Sequence, residues 1–194
     1  VFKNKAVTEG TDPAFRLANI ILTMMLVIIG IVVILGILAA PALVFLFANG
    51  FTEIPMKFDL TVSLTRIMFV YLLLVSVSAL FMGILNSYGR FGIPALSPAM
   101  FNLGCIFSVV LLYQYFEQPI YTLAIGVVIG GIGQLVLQLP SIYYIGFRYR
   151  PNFDFLAAAP KRVLRLFGPM VIGLSGSRVN ILVSTLIASF LAQG

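Results

Sequence analysis

The chain has 194 residues, of which 61% are hydrophobic and 9% charged, with a formal net charge of +6. A soluble domain carries about 25% charged residues, so the composition excludes an ordinary soluble globular protein. The basic residues are not interleaved with aromatic residues on a polar surface, which argues against nucleic acid as a partner. Long charge-free runs predict instead an all-α, polytopic transmembrane helical bundle.

Five apolar stretches predict five membrane spans, because each reaches the length of about 20 residues that a helix needs to cross hydrocarbon. They cover residues 17–48, 60–87, 94–116, 119–147 and 163–192. The first is longer than a span requires and contains Pro41, which predicts tilt and a kink. Residues 1–16 are expected to form a cytoplasmic loop. The chain starts without methionine and stops just past a hydrophobic segment, so we expect 1–194 to be part of one larger membrane transporter domain.

The charges between the spans alternate in a way that predicts the topology. Lysine and arginine collect on the cytoplasmic side of a membrane. The loops holding Val1, Arg90 and residues 148–165 are therefore expected in the cytoplasm, and those holding Glu53, Glu117 and Gly194 on the far side. Within the basic cytoplasmic loop, 148–162, two interpretations stay open. It either holds a short helix lying in the membrane interface or only orients the neighbouring spans.

Arg178 is the one charged residue between Leu166 and Gly194, and it falls near mid-bilayer. A charge at that depth costs at least about 2.5–3.5 kcal/mol, so it is expected to face a bundle interior or a water-filled cavity. It either meets an anionic substrate in a cavity or pairs with a carboxylate on a helix outside this chain. Ser184 shares a polar stripe of the same predicted helix with Ser177 and Asn180.

Four further polar residues in the spans are candidate cavity-lining or substrate-binding residues. Arg66 lies about two turns into the second span, where it either snorkels outward or faces a cavity. Asn102 is a candidate interhelical hydrogen-bond donor in the third span. Gln134 and Gln138 are spaced i and i+4 and predict one polar face on the fourth span.

No pattern in the sequence points to covalent chemistry. The chain has no histidine, one cysteine, and neither a phosphate-binding Walker loop nor a metal-ligand cluster. We therefore expect no catalytic residues, no metal, no cofactor and no enzymatic activity. A helical bundle with a few buried polar and cationic groups is typical of a transporter or channel.

One block of the sequence, LTRIMFVYLLLVSVSALFMGILNSYGRFGIPALSPAMFNL at 64–103, resembles the MurJ/MviN family of bacterial lipid II flippases. This family belongs to the multidrug/oligosaccharidyl-lipid/polysaccharide exporter group. The segments GGIGQLVLQLP (130–140) and GPMVIGLSGSRVNILVSTLIASFL (168–191) are similar to the next two helices of that family. The resemblance implies a two-lobed transporter of which this chain supplies about the third to seventh helices.

The resemblance also implies a function and a location. The function is to move undecaprenyl-pyrophosphate-linked peptidoglycan precursor from the inner to the outer leaflet of the bacterial cytoplasmic membrane for cell-wall synthesis. Membrane lipids and cell-wall synthesis proteins are the other partners it implies. Three positions depart from the family pattern. Arg178 stands where many relatives have glutamine, Ser184 where some have an acidic residue at a sodium site, and Val70 where proline is common.

Two alternatives to lipid II flipping stay open at this point. One is export of another lipid-linked oligosaccharide, or cation-coupled efflux of small molecules, by a transporter of the same fold. The other is a membrane scaffold that transports nothing. Cationic residues in the missing early helices would favour flipping, and an interior that carries carboxylates instead would favour cation-coupled efflux.

Overall fold

The chain folds into long α-helices in the computed structural model, which describes residues 8, 10–54, 56–155, 165, 181, 183–185 and 187. The helices are α1 (Thr11–Phe47), α2 (Lys57–Ser87), α3 (Gly92–Leu112) and α4 (Ile120–Tyr144). Short 3-10 turns follow α1 at Asn49–Glu53 and α3 at Tyr113–Tyr115. The described residues contain no β-strand, and the predicted all-α fold class is confirmed. The predicted fifth span, at 163–192, lies outside the described residues apart from isolated helical positions.

Each of the four helices is long and apolar enough to cross a membrane. α1 has 37 residues, about 55 Å of helix, against about 30 Å of hydrocarbon in a bilayer. It begins ahead of the predicted boundary at residue 17, and its first turn carries Asp12, a carboxylate that the helix dipole favours there. α1 therefore tilts or extends beyond the hydrocarbon layer at one end.

The helices alternate in direction, so the bundle has two chemically distinct ends. We call one the basic end, where Arg16, Arg90, Arg148 and Arg150 lie, and the other the acidic end, where Glu53, Asp59 and Glu117 lie. The turn from α2 to α3 is at the basic end. Gly89 takes a φ of 73° there, and the N–H of Arg90 donates to the Leu85 carbonyl at 3.0 Å. A residue with a side chain is strained at that φ, so glycine allows the reversal.

α4 is the central helix, because it packs against both α2 and α3, while α1 packs against α2. The α3–α4 contact is close. A Cβ atom added to Gly104 would lie 2.5 Å from the Cα of Gly130, and one added to Gly126 would lie 2.8 Å from the Cα of Cys105. Small residues at a helix crossing let backbones approach in this way inside membranes. The glycines that precede Gln134 thus bring α4 against α3.

Apolar cores lie towards both ends of the bundle. At the basic end the core joins α1, α2 and α4 through Ala18, Leu22, Phe81, Ile84, Leu85, Ile142 and Phe147. At the acidic end a smaller core joins α1 to α2 through Ala40, Val44, Ala48 and Val62. The helices are therefore packed at both levels, and the polar side chains described below lie between or beside these cores.

Large apolar side chains are exposed along the middle of α1. Leu38 is 71% exposed, Ile34 60% and Ile31 53%. A soluble monomer rarely presents such a continuous apolar surface to water. The same surface has no unfavourable contact with water when it faces lipid tails or further transmembrane helices. This agrees with a chain that spans a membrane.

Candidate functional site

Gln138 forms a buried polar junction between three helices. Its side chain is fully buried, and its Nε2 donates hydrogen bonds of 2.7 Å to the Ser78 hydroxyl on α2 and 2.9 Å to the Ser97 hydroxyl on α3. Both serine side chains are buried as well. Because polar groups without partners are costly in an apolar interior, these three side chains hold α2, α3 and α4 in one register.

Gln134 lies one turn before Gln138 on the same face of α4 and is 8% exposed. The Oε1 atoms of the two glutamines accept no hydrogen bond from another described residue. Buried carbonyl oxygens usually accept from ordered water or from another donor, so each of the two has acceptor capacity that the described residues do not use. We call the pair and its two serine partners the glutamine seam. Its part in binding substrate stays a prediction.

Arg66 lies in the half of α2 nearer the acidic end, roughly 18 Å along the helix from Ser78. It is exposed, and its Nε donates a hydrogen bond of 3.3 Å to the backbone carbonyl of Ile37 on α1. The two sequence interpretations were outward snorkelling and a cavity role. The structure shows a third role, a hydrogen bond to the backbone of α1, which neither interpretation included. This bond uses one of the five guanidinium N–H groups.

Two further predicted site residues, Asn102 and Ser184, are described, and neither makes a hydrogen bond to the glutamine seam. Asn102 is exposed on α3 and makes no hydrogen bond to another described residue. Ser184 is exposed in a helical stretch, 183–185. Arg178 lies outside the described residues, as do Ser177 and Asn180. Of the six candidates, Gln134 and Gln138 alone share one described polar cluster.

A second polar site lies at the basic end, where residues 148–152, which belong to no helix or strand, lie beside α1. We call this segment the strap. Asn19 of α1 donates from Nδ2 to the Arg148 carbonyl at 3.3 Å and accepts from the Arg150 N–H at 2.9 Å. Asn19 is buried at 8% exposure. Both ends of one side-chain amide therefore bind the strap backbone, much as a neighbouring β-strand would.

Thr23, one turn further along α1, completes the strap contact. Its hydroxyl donates to the Asn19 carbonyl at 2.8 Å and accepts from the N–H of Asn152 at 3.1 Å. The Tyr149 hydroxyl lies within 3.2 Å of the same oxygen. Pro151 favours the extended conformation, since proline disfavours the α region for the residue before it. Sequence reasoning missed Asn19 and Thr23, although polar residues at i and i+4 in a charge-free run were the available signal.

The first part of the basic loop is docked against the bundle. Residues 148–155 contain no helix. The Arg148 guanidinium lies 4.6 Å from the ring centre of Tyr143 and donates to the Tyr143 carbonyl at 2.9 Å, which satisfies the end of α4. Arg90 lies in the same way over Tyr144, at 4.3 Å. The predicted interfacial helix thus concerns 156–164, which lie outside the described residues.

A cavity of about 420 Å³ opens at the acidic end. Its lining includes Asp59, Ser63, Tyr115, Glu117 and Tyr121. Two carboxylates at one opening produce a negative potential, which repels a phosphate group. The cavity therefore does not suit the anionic substrate that the sequence resemblance implies.

The helices and the polar groups between them identify the class of protein. Four apolar helices of spanning length enclose amide and hydroxyl groups, and basic residues gather at one end, so the protein is a multi-pass membrane protein with a partly polar interior. A family model described as "Lipid II flippase MurJ" matches residues 1–194. The chain therefore belongs to the MurJ lipid II flippase family.

Named relatives agree with this assignment. The chain is 38% identical over 161 residues to "Probable lipid II flippase MurJ" of Buchnera aphidicola subsp. Acyrthosiphon pisum, a match that covers 83% of this chain and 32% of the relative. It is 32% identical over 197 residues to "Lipid II flippase MurJ" of Burkholderia cenocepacia, covering 100% of this chain and 38% of the relative. For "Probable lipid II flippase MurJ" of Vibrio cholerae the identity is 33% over 175 residues, covering 87% of this chain and 33% of the relative. The chain thus spans about a third of the length of these relatives.

Proposed function

We propose that the full-length protein moves undecaprenyl-pyrophosphate-linked peptidoglycan precursor from the inner to the outer leaflet of the bacterial cytoplasmic membrane. The observation that carries this proposal is the match of the lipid II flippase family over the whole chain. Residues 1–194 act as part of one transporter domain. The substrate is carried across without covalent change, so the proposed activity is transport and not catalysis.

The physical problem determines what the protein has to supply. A pyrophosphate with its sugars cannot cross hydrocarbon unaided, because each unpaired charge and polar group is costly there. Alternating access by two helical lobes provides a hydrated path that opens to one side at a time. The lipid tail meanwhile stays in or beside the bilayer.

Within this scheme the candidate residues have different parts. Arg178 and the exposed N–H groups of Arg66 bind anionic groups, since guanidinium and phosphate form charge-assisted, bidentate hydrogen bonds. Asn102, Gln134 and Gln138 offer amide groups to sugar hydroxyls. Ser184 occupies a possible ion-site position. The basic end faces the cytoplasm, where the substrate is taken up.

Complementation tests the proposal. The full-length protein is expressed in bacteria depleted of their own flippase, beside a matched strain that expresses the Burkholderia cenocepacia relative. We expect growth and normal cell shape in both strains. Absence of rescue despite insertion of the full-length protein in the membrane would contradict lipid II flipping and favour another substrate or a scaffold.

Substitution of Arg178 tests its part separately. Arg178→Ala removes the cation, whereas Arg178→Lys keeps a positive charge but loses the planar fork. We expect Arg178→Ala to reduce rescue more than Arg178→Lys does. Rescue equal to wild type by both variants would remove Arg178 from the substrate path and leave the proposed activity itself standing.

A further inference from the structure

α1 contains a proline well inside its length, and this proline leaves one backbone carbonyl without its helical partner. Pro41 has no N–H group. In a regular helix the N–H at position 41 would bond the carbonyl of Ile37, four residues earlier. That carbonyl needs another donor, because unpaired backbone groups are strongly disfavoured in hydrocarbon.

Arg66 supplies a donor from the neighbouring helix. Its Nε donates to the carbonyl oxygen of Ile37 across 3.3 Å. This distance is long for an N–H···O hydrogen bond, and the positive charge of the guanidinium strengthens the interaction. The acceptor is the same carbonyl that Pro41 releases, so the arginine and the proline act on one atom.

The absence of a side chain at Gly36 brings the two helices close enough for this bond. A Cβ atom at Gly36 would collide with the ring of Phe69 on α2. Phe69 follows Arg66 by about one turn on α2, and Gly36 directly precedes Ile37 on α1. The glycine contact and the arginine bond therefore lie at the same level of the α1–α2 interface.

Arg66 is an exposed residue, although its Nε is bound to Ile37. A guanidinium has five N–H donors, so one can bind Ile37 while the others face outward. A bare charge in a span is unfavourable, and the bond to an otherwise unpaired carbonyl offsets part of that cost. The contact thus explains why an arginine is tolerated in α2 without a carboxylate partner among the described residues.

We propose that Arg66 is a positioning residue that fixes α1 against α2 by satisfying the carbonyl of Ile37, which Pro41 leaves without its helical donor. The bond joins α1 to α2 at the point where α1 lacks its own hydrogen bond. A change in the shape of α1 around Pro41 therefore has to release Arg66 or carry α2 with it. This inference rests on the geometry of α1 and α2 and holds for any substrate.

A double-mutant cycle in the full-length protein tests the proposal. Pro41→Ala restores an N–H at position 41, so the Ile37 carbonyl regains its helical partner. Arg66→Met keeps much of the side-chain length and removes every donor. In the Pro41 background we expect Arg66→Met to lower the folded-to-unfolded ratio in detergent about tenfold. In the Pro41→Ala background we expect less than about a twofold loss, because the two changes act on one contact.

Arg66→Lys and Arg16→Met are the matched controls. Arg66→Lys keeps a charged donor and should retain most of the stability in the Pro41 background. Arg16→Met removes an exposed cation paired with Asp154 at the basic end, and its effect should be the same with and without Pro41→Ala. An equal loss from Arg66→Met in both backgrounds would overturn the proposal, since Arg66 would then act independently of Pro41.

A distance measurement reads the shape of α1 around Pro41. Spin labels at Leu35 and Leu46, both exposed, lie on either side of Pro41 on α1. Arg66→Met should broaden the distance distribution with Pro41 present and leave it narrow with Pro41→Ala. An unchanged distribution in the Pro41 background contradicts the proposal. If Arg66→Met alone does not accumulate, recovery of folded protein by Pro41→Ala supports it and failure to recover overturns it.

Discussion

The side chain of Asn19 accepts a hydrogen bond of 2.9 Å from the backbone N–H of Arg150, 131 positions further along the chain. The same amide donates to the carbonyl of Arg148. The segment that leads from α4 towards the next predicted span is therefore fixed to the start of α1. The chain after α4 is thus tied to α1 at the basic end by backbone hydrogen bonds to Asn19 and Thr23.

Asn19→Leu should release the strap. The backbone groups of Arg148 and Arg150 lose their partner, so we expect the free energy of unfolding to fall by about 1–3 kcal/mol. Proteolysis within 149–155 should become faster, because cleavage requires local opening. Both are measurable on purified full-length protein by denaturant titration and by limited proteolysis.

Ser76→Ala is the control for Asn19→Leu. The Ser76 hydroxyl is exposed and donates only to the Leu72 carbonyl of its own helix, at 2.7 Å. We expect a change below about 0.5 kcal/mol and no faster cleavage. A strap that stays resistant to protease in Asn19→Leu would show that other contacts hold it.

Gln138→Leu tests the glutamine seam. Leucine fills a similar volume but makes no hydrogen bond to Ser78 or Ser97, which loses about 0.6–2 kcal/mol in a membrane setting. Thermal unfolding of the purified protein reads the change. Gln114→Leu, at an exposed position of the turn after α3, should have little effect. Equal effects of the two substitutions would mean that the junction does not hold α2 and α3 to α4.

The sequence predicted the apolar parts of this structure better than the polar parts. Long apolar runs predicted the four described helices that are long and apolar enough to cross a membrane, because helix length and hydropathy set that capacity. The i, i+4 spacing of Gln134 and Gln138 identified one buried polar face. The partners of that face could not be predicted, since Ser78 and Ser97 look like ordinary small residues until α2 and α3 are placed around α4.

Long-range contacts account for the rest of what sequence reasoning missed. Asn19 and Thr23 bind the strap, whose sequence suggests only a basic loop. Arg66 was interpreted from its depth in the span, and its bond to the carbonyl of Ile37 depends on how α1 crosses α2. Pro41 predicted a kink, but the donor for the carbonyl it releases comes from another helix.

Gly130→Ala tests the close α3–α4 crossing. A Cβ at Gly130 would lie 2.6 Å from the carbonyl oxygen of Phe101, and backbone atoms cannot turn aside as a flexible side chain does. We expect a loss of about 1–3 kcal/mol from this overpacking. Gly83→Ala is the matched control, because nothing lies within 4 Å of a Cβ there. It should be neutral or stabilising by up to about 1 kcal/mol, since alanine is the better helix former. Similar effects of both substitutions would show that the backbones of α3 and α4 lie further apart at Gly130 than the structure places them.

The predicted topology is tested with single cysteines. In a full-length background whose own cysteines, including Cys105, are replaced by serine, we introduce Phe91→Cys at the basic end or Gln114→Cys at the acidic end. Both positions are exposed. A membrane-impermeant thiol reagent added to intact cells that lack their outer membrane should label Gln114→Cys and not Phe91→Cys. The opposite pattern would mean that the basic end faces outward and would contradict uptake of substrate there.

The exposure of lipid II on the outer leaflet tests transport most directly. Cells depleted of their own flippase are supplied with the full-length protein, and the fraction of lipid II that a reagent can reach from outside is measured before growth stops. The account predicts that this fraction returns to the level of undepleted cells. A fraction that stays at the depleted level, with the protein folded and inserted in the membrane, would contradict the account.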